Sequence, residues 1–219
     1  MNKIIVDNTP ITTNIRVDGA ALNPIIISNK AKADLEFKHN ALWREYIHSP
    51  CGKYCYLINA KNASNTFRRE LRKLDWRSHR WDPKAEFYLS HLGDPIDRWV
   101  KGFSQFCLTN HIDVATVLTD KNFLIPGIFD NHTMPVSHTW CDLFYKIHFF
   151  KLGTTGLEDF IRPDYDLTVT HRLNAADKSK ENDYNLIRHA IRNKMPALTS
   201  FLYHDLIKYN DLSGKPIAV

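Results

Sequence analysis

The 219-residue chain is 43% hydrophobic, and its 29 lysines and arginines exceed its 24 acidic residues to give a net charge of +5. This apolar content supports one sizeable core and excludes a largely disordered chain, so we expect a single domain over residues 1–219. The charge is too small for a dedicated DNA-binding domain but favours an anionic ligand. Asp7 and Asn8 end the first apolar run, and no run of about 18 uncharged apolar residues occurs. We therefore expect a cytoplasmic protein without a membrane partner.

The four cysteines are Cys51, Cys55, Cys107 and Cys141. In a chain without an export signal, free thiols are favoured over two disulfides. Cys51 and Cys55 have the spacing of half a zinc site, but no second pair follows them. No metal is therefore expected.

The first predicted unit is a strand followed by a helix. Residues 54–59 form an apolar run typical of a buried strand. Ser64 is a predicted N-cap, and Phe67, Leu71 and Leu74 then recur on one helical face while basic residues occupy the rest.

The same unit then repeats along the chain. Residues 86–92 predict a second strand, and Pro95 opens a helix after the turn at Gly93 and Asp94. Further helices are predicted on apolar spacing at Trp140, Leu143, Phe144 and Ile147, and over residues 157–161, 184–193 and 198–209. Alternation of strands and helices predicts an α/β fold with a central parallel sheet covered by helices on both faces.

The turn after the first strand has the composition of an anion site. Ligands of such sheets bind where the strands end. Here a lysine, several side chains that donate hydrogen bonds and a helix N-terminus converge, in the order Ala60-Lys61-Asn62-Ala63-Ser64-Asn65-Thr66. The turn is not a Walker A loop, because the glycines of that motif are absent and the lysine precedes the hydroxyl residues. A nucleoside triphosphatase is therefore disfavoured.

This turn resembles the 5'-phosphosulfate loop of sulfotransferases, in particular the carbohydrate (Golgi-type) branch. Lys61, Ser64 and Thr66 match its pattern of Pro-Lys-x-Ala/Gly-x-Thr-[Ser/Thr], whereas Ala60 replaces the proline and Asn65 the first hydroxyl residue. The resemblance implies a P-loop-like three-layer sandwich in which a parallel sheet is flanked by helices.

The second turn resembles the 3'-phosphate element of the same family, Arg-Asp-Pro-x-x-Arg-x-x-Ser. Asp94, Pro95 and Arg98 match it, but Gly93 replaces the phosphate-binding arginine and Lys101 replaces the serine. Two later segments follow in the family's order, Asn131-His132-Thr133-Met134-Pro135 and His171-Arg172-Leu173-Asn174, so that the resemblance spans about residues 54–180.

The resemblance implies transfer of the sulfo group of 3'-phosphoadenosine 5'-phosphosulfate to a hydroxyl of an acceptor, most simply a carbohydrate. Lys61 is the expected catalytic cation, opposite the charge that grows on the leaving nucleotide. The expected nucleotide-binding residues are Lys61, Asn62, Ser64, Asn65, Thr66, Arg68, Arg98 and Lys101. Because Gly93 lacks a side chain, Lys101 and at least one of Arg172, Lys178 and Lys180 are expected to meet the 3'-phosphate.

Three histidines are candidates for the catalytic base. His79 lies where related carbohydrate enzymes carry the base, and His132 lies within a matching motif. His91 falls inside the second strand, where a core role is the simpler interpretation.

Each site residue also has a structural interpretation. Lys61 is compatible with an ordinary solvated lysine, Arg98 with an ion pair to Asp94 one helical turn away, and the arginines after residue 67 with a solvated helix face. An alternative function is a non-catalytic nucleic-acid- or nucleotide-binding protein, because basic residues alternate with two tryptophans that are able to stack on bases. The residues concerned are Arg68, Arg69, Arg72, Lys73, Trp76, Arg77, Arg80 and Trp81.

Overall fold

A five-stranded sheet forms the centre of the fold. The computed structural model describes residues 13–15, 23–25, 44–79, 84–119, 127–169 and 180–214. The sheet has the order β5-β3-β4-β6-β7, and a separate antiparallel pair joins β1 to β2. The strands are β1 (Thr13–Ile15), β2 (Asn23–Ile25), β3 (Glu45–His48), β4 (Tyr54–Ile58), β5 (Arg77–His79), β6 (Phe87–Leu92) and β7 (Ile147–Lys151).

Helices connect and cover these strands. They are α1 (Ser64–Lys73), α2 (Pro95–Thr109), α3 (Val114–Thr119), α4 (Val136–Thr139), α5 (Gly156–Ile161), α6 (Glu181–Ala190), α7 (Met195–Phe201) and α8 (Tyr203–Ser213), with 3₁₀ turns at Phe144–Lys146 and Arg192–Lys194. The two predicted strand–helix units are confirmed as β4–α1 and β6–α2. Pro95 opens α2, and the Asp94 carboxylate accepts hydrogen bonds from the backbone N–H groups of Ile96 and Asp97 at 2.9 and 3.0 Å.

The sheet is mixed, so the prediction of a parallel sheet is wrong for β3. β4, β6 and β7 pair in parallel, whereas β3 pairs antiparallel with both β4 and β5. The connection between β3 and β4 spans only residues 49–53, which is enough for a hairpin but far too short for a parallel crossover.

The predicted helix through residues 140–147 is also wrong. Its apolar spacing is divided between a turn and a strand, since Trp140 follows α4, Phe144 opens a 3₁₀ turn, and Ile147 begins β7. Ile147 and Phe149 are buried on alternate positions, which is the period of a strand. Pairing of all of β7 with residues 88–92 of β6 outweighs the local helical spacing.

The two faces of the sheet bury different helices. On one face, Tyr56 and Leu89 pack with Leu71 of α1 and Leu157 of α5. On the other face, Leu57 and Leu92 pack with Val136 and Trp140, and α8 lies over β7. A further cluster joins Trp99 and Phe103 of α2 to Ile187 of α6 and Leu198 of α7. The described residues therefore form an α/β fold in which helices flank both faces of a mixed sheet.

The chain reverses its direction across the sheet between β4 and β6. From β4 it passes through α1 to β5 on one side, and from β6 it passes through α2 to β7 on the other side. The neighbouring strands β4 and β6 are parallel, so their carboxyl ends open at the same edge. Such a reversal leaves a crevice outside the carboxyl ends, where α/β proteins bind their ligands.

Candidate functional site

The two turns singled out by sequence meet at this crevice. The turn after β4 contains residues 59–63, and the turn after β6 contains Gly93 and Asp94. The side chain of Asn62 joins them, because its Oδ1 accepts a hydrogen bond from the backbone N–H of Gly93 at 3.1 Å. Asn62 is 1% exposed, so this contact is a buried link between the two turns.

Gly93 has little room for a larger residue. A Cβ at this position would lie 3.1 Å from Oδ1 of Asn62 and 3.3 Å from Cδ2 of Leu152. Both distances are shorter than ordinary van der Waals contacts, so the side chains of Asn62 and Leu152 would have to shift by a few tenths of an ångström to admit a Cβ. The presence of glycine at position 93, where the compared sequence pattern has arginine, therefore agrees with the close packing around this residue.

The first turn holds two side-chain-bearing residues in the left-handed region. Lys61 has a φ of 63° and Ala63 a φ of 54°. A residue with a Cβ loses roughly 1–2 kcal/mol in this conformation, which is kept when the surroundings fix it. Ala63 is also the N-cap residue of α1 in place of the predicted Ser64, and no side chain caps this helix start.

The buried side chain of Arg98 contacts the backbone of the first turn. It is 3% exposed, and its Nε donates a hydrogen bond to the backbone carbonyl of Ala60 at 3.0 Å. Burial lowers the pKa of Arg98, while the carboxylates of Asp205 and Asp130 oppose that shift. The alternative interpretation from the sequence was an ion pair between the side chains of Arg98 and Asp94. The structure does not contain this pair, because the Asp94 carboxylate caps α2 instead.

Two buried donors at this turn have no hydrogen-bond acceptor within the described part of the chain. They are Nη1 of Arg98 and Nδ2 of Asn62. Leaving a buried donor unsatisfied costs about 1–3 kcal/mol, and such groups are uncommon in native folds. A ligand with acceptor oxygens at this turn would be able to satisfy such donors.

Lys61 lies at the centre of a positively charged cluster. Its Nζ donates a hydrogen bond to Oε1 of Gln105 at 3.1 Å, and Nζ of Lys180 approaches the same oxygen at 3.4 Å. Burial and the charges of Lys180 and Lys101 lower the pKa of Lys61, and the carboxylate of Asp130 acts in the opposite direction. An anion placed here would relieve the repulsion between these cations.

Asp130 and His132 form a hydrogen-bonded pair beside this cluster. Oδ2 of Asp130 lies 2.9 Å from Nδ1 of His132, and Oδ1 accepts the backbone N–H of His132 at 2.9 Å. A carboxylate can only accept, so the neutral imidazole carries its proton on Nδ1 and leaves Nε2 as the basic nitrogen. About a third of the His132 side chain, 31%, is exposed, which keeps the ring accessible.

The backbone of His132 rests directly on α2. A Cβ added to Gly102 would lie 2.2 Å from the carbonyl oxygen of His132 and 2.6 Å from its carbonyl carbon. Gly102 precedes Gln105 by three residues, so both lie on the same face of α2. This face therefore contacts the backbone of His132 through Gly102 and accepts the hydrogen bond of Lys61 through Gln105.

We expect Gly102→Ala to lower the free energy of unfolding by about 1–3 kcal/mol, because the new methyl group meets backbone rather than a movable side chain. Alanine would otherwise stabilise a helix interior by about 1 kcal/mol. Chemical denaturation of the variant and the wild type measures the difference.

Gly156→Ala is the matched control, since its nearest neighbour is a Phe150 ring carbon at 3.1 Å, which belongs to a side chain. Stability of Gly102→Ala equal to or above that of the wild type would contradict the close packing of α2 on His132.

The remaining predicted residues of the first turn differ in their burial and in their hydrogen-bond partners. Thr66 is buried at the start of α1, and Ser64 is half-buried. Asn65 is exposed and accepts a hydrogen bond from Nη1 of Arg68 at 2.6 Å. Arg68 also binds both carboxylate oxygens of Glu45, at 2.8 and 2.5 Å. In this structure the Arg68 guanidinium is thus engaged by protein groups.

Three further predicted residues lie on α2, β5 and β6. Lys101 forms an ion pair at 2.5 Å with Asp97, which precedes it by one turn of α2. His79 lies on β5, which is separated from β4 by β3, so that about 10 Å of sheet lies between its backbone and β4. His91 is fully buried, hydrogen-bonded to Tyr56 at 2.9 Å and stacked on Phe67, in agreement with a core role.

Several predictions concern residues that lie outside the described part of the chain. The segment 171–174, Lys178, Arg80 and Trp81 lie outside the described residues, as does the side chain of His79. Conversely, Asp130 and Gln105 were missed. A carboxylate two residues before a histidine was the signal for the first, whereas nothing local marks Gln105.

A small cavity extends the crevice toward β7. Its volume is about 110 Å³, and it lies between the start of α1 and the turn that follows β7. The lining residues are Thr66, Phe67, Leu152, Gly153, Thr154, Thr155, Glu158 and Val169. It combines hydroxyl groups with apolar walls at the same edge of the sheet.

All four cysteines lie among the described residues, and none is in a disulfide. Within the same ranges, no group of three or more His, Cys, Asp or Glu side chains is placed to hold a metal ion. No helix in the described part of the chain is long and apolar enough to cross a membrane.

Comparison with known proteins finds no match to a protein-family model, to a curated protein or to a solved structure. The interpretation of the site therefore depends on its own residues.

Proposed function

We propose that this chain is a sulfotransferase that uses 3'-phosphoadenosine 5'-phosphosulfate as donor and a hydroxyl group, in the first place that of a carbohydrate, as acceptor. The carbohydrate acceptor follows from the resemblance of the first turn to the carbohydrate branch of that family. The P-loop-like form of the sandwich belongs to the same proposal.

The observation that carries this proposal is the position of Lys61. It lies at the reversal point of the sheet, in a turn that opens into α1, beside a second lysine and a histidine–carboxylate pair. A site for transfer of a sulfo group needs a cation for the donor and a base for the acceptor. In this proposal Lys61 supplies the cation and His132 the base.

His132 is the base in this mechanism. Its Nε2 takes the proton of the acceptor hydroxyl, while Asp130 holds the ring and stabilises the imidazolium that forms. His132 is preferred over His79, because Asp130 acts electrostatically on Lys61 whereas β5 lies two strands from β4.

The transfer is in line. The acceptor oxygen forms a bond to sulfur as the bond between sulfur and the bridging phosphate oxygen breaks, and the electron pair of that bond stays on the phosphate. Lys61 stabilises this developing negative charge, and adenosine 3',5'-bisphosphate leaves. No metal ion or redox partner is required for the atoms and electrons to balance.

The alternative of a nucleic-acid surface on α1 is less well supported. Trp76 is 1% exposed and packs in the core, with its ring stacked on Tyr54 and edge-on to Tyr165. A ring in this position offers no face to a base. The basic residues Arg69 and Lys73 both pair with Glu70, each at 2.5 Å.

Nucleotide binding tests the proposal directly. We expect adenosine 3',5'-bisphosphate at about ten times its Kd to raise the free energy of unfolding by about 1.4 kcal/mol, because a ligand that binds only the folded state stabilises it. Thermal unfolding with increasing nucleotide measures the effect, and transfer of radiolabelled sulfo groups to sugars, lipids and phenols identifies the acceptor. No stabilisation by millimolar nucleotide would contradict the assignment of the donor.

A further inference from the structure

The amide oxygen of Gln105 occupies an unusual position between two ammonium groups. Lys61 reaches it from the turn after β4 at 3.1 Å, and Lys180 reaches it from the start of α6 at 3.4 Å. The orientation of this amide is fixed, since its Nε2 donates to the hydroxyl of Thr109 at 3.1 Å. A neutral oxygen thus satisfies two cations that come from distant parts of the chain.

Lys61 and Lys180 differ from the neighbouring cations in their partners. Within the described residues, neither Lys61 nor Lys180 forms an ion pair, whereas the neighbouring Lys101 is paired with Asp97 and Arg188 with Asp97 and Glu181. Two like charges that share one neutral acceptor repel each other, and a charged acceptor binds them more strongly.

We propose that Lys180 and Lys61 form a two-lysine clamp for a single tetrahedral anion, a phosphate or sulfate group, one oxygen of which takes the place of the Gln105 amide oxygen. This inference rests on the proposed function for the identity of the ligand: the anion is the 5'-phosphosulfate of the donor. Lys180 then binds the same group as Lys61, and not the 3'-phosphate, for which the sequence made it one of three candidates beside Lys101.

The consequence for the reaction is a second cation at the bond that breaks. As the bridging oxygen gains charge, Lys180 approaches it from the side of α6 while Lys61 approaches it from the turn. Lys180 is therefore a catalytic residue in this scheme, because it touches the reacting phosphosulfate.

Calorimetric titration of Lys180→Ala tests the clamp. We expect its affinity for adenosine 5'-phosphate and for adenosine 3',5'-bisphosphate to fall by the same factor, about 10- to 100-fold, since both nucleotides carry the 5'-phosphate. Lys194→Ala removes an exposed lysine of the 3₁₀ turn after α6 and is the matched control, with both affinities kept within twofold. Loss for the bisphosphate alone would overturn the clamp, because Lys180 would then bind the 3'-phosphate.

Gln105→Glu provides a second test that does not depend on catalysis. A carboxylate at this position places a negative charge between the two lysines, so we expect a thermal midpoint a few degrees above that of the wild type and at least tenfold weaker binding of inorganic sulfate. A variant that binds sulfate as the wild type does would overturn the proposal.

The two proposals fail in different ways. If the wild type binds inorganic sulfate, and Lys180→Ala loses that binding, while neither nucleotide binds, the clamp stands and the sulfotransferase proposal falls. If both nucleotides bind to Lys180→Ala as they do to the wild type, the clamp falls and the donor assignment stands.

Discussion

Lys61→Ala is expected to lower the turnover of sulfo transfer by about 10²- to 10³-fold, which corresponds to about 2.7–4 kcal/mol of transition-state stabilisation. The ammonium group lies at the crevice, with its hydrogen bond directed to Gln105 rather than into an apolar core. Its removal therefore takes away charge at the leaving oxygen and little packing. Consumption of the radiolabelled donor, followed over time with saturating acceptor, measures the rate.

The control for this variant is Lys84→Ala, which removes an exposed lysine ahead of β6. It keeps the net charge equal to that of Lys61→Ala, so that a difference between the two variants reports position. Circular dichroism and thermal unfolding establish that both variants are folded. Activity of Lys61→Ala within threefold of the wild type would remove the turn after β4 from the mechanism.

His132→Ala is expected to reduce turnover by about 10²-fold or more while leaving the affinity for adenosine 3',5'-bisphosphate within twofold of the wild type. The ring is held by Asp130 and accepts the acceptor's proton at Nε2, whereas it makes no expected contact with the nucleotide. Single-turnover measurements separate the chemical step from binding. Added imidazole should restore part of the lost rate, since it can enter the space that the missing ring leaves.

His79→Ala is the comparison for this prediction, because sequence alone gives the two histidines equal standing as the base. We expect its turnover to stay within threefold of that of the wild type. A large loss in His79→Ala together with a small loss in His132→Ala would place the base on β5 and contradict the mechanism as written.

The local patterns of the chain predict the two strand–helix units well. β4 is a continuous apolar run, β6 is apolar except at Ser90 and His91, and the Asp94-Pro95 start of α2 combines a side-chain cap with a fixed φ. These signals are contained within a few residues. They place Lys61 and Gly93 at the carboxyl edge before any tertiary contact is known.

Long-range pairing accounts for what sequence did not predict. β3 is only four residues long and is positioned by its pairing with β4, and β7 carries a spacing that also suits a helix. The candidate site likewise depends on contacts between residues that are distant in the sequence. Gln105 and Lys180 are 75 residues apart and meet only through the packing of α6 on α2, so no local motif links them.

The left-handed backbone of Lys61 and Ala63 has a kinetic consequence. Glycine would adopt these φ values without a cost in free energy, yet the chain has residues with side chains at both positions. The hydrogen bonds of Arg98 and Asn62 fix the conformation of the turn. Under the proposed function, a turn that is already held in place needs little further ordering when the nucleotide binds. We then expect association to be governed by diffusional encounter, accelerated by the surrounding positive charge and slowed by added salt, rather than by a loop closing over the ligand.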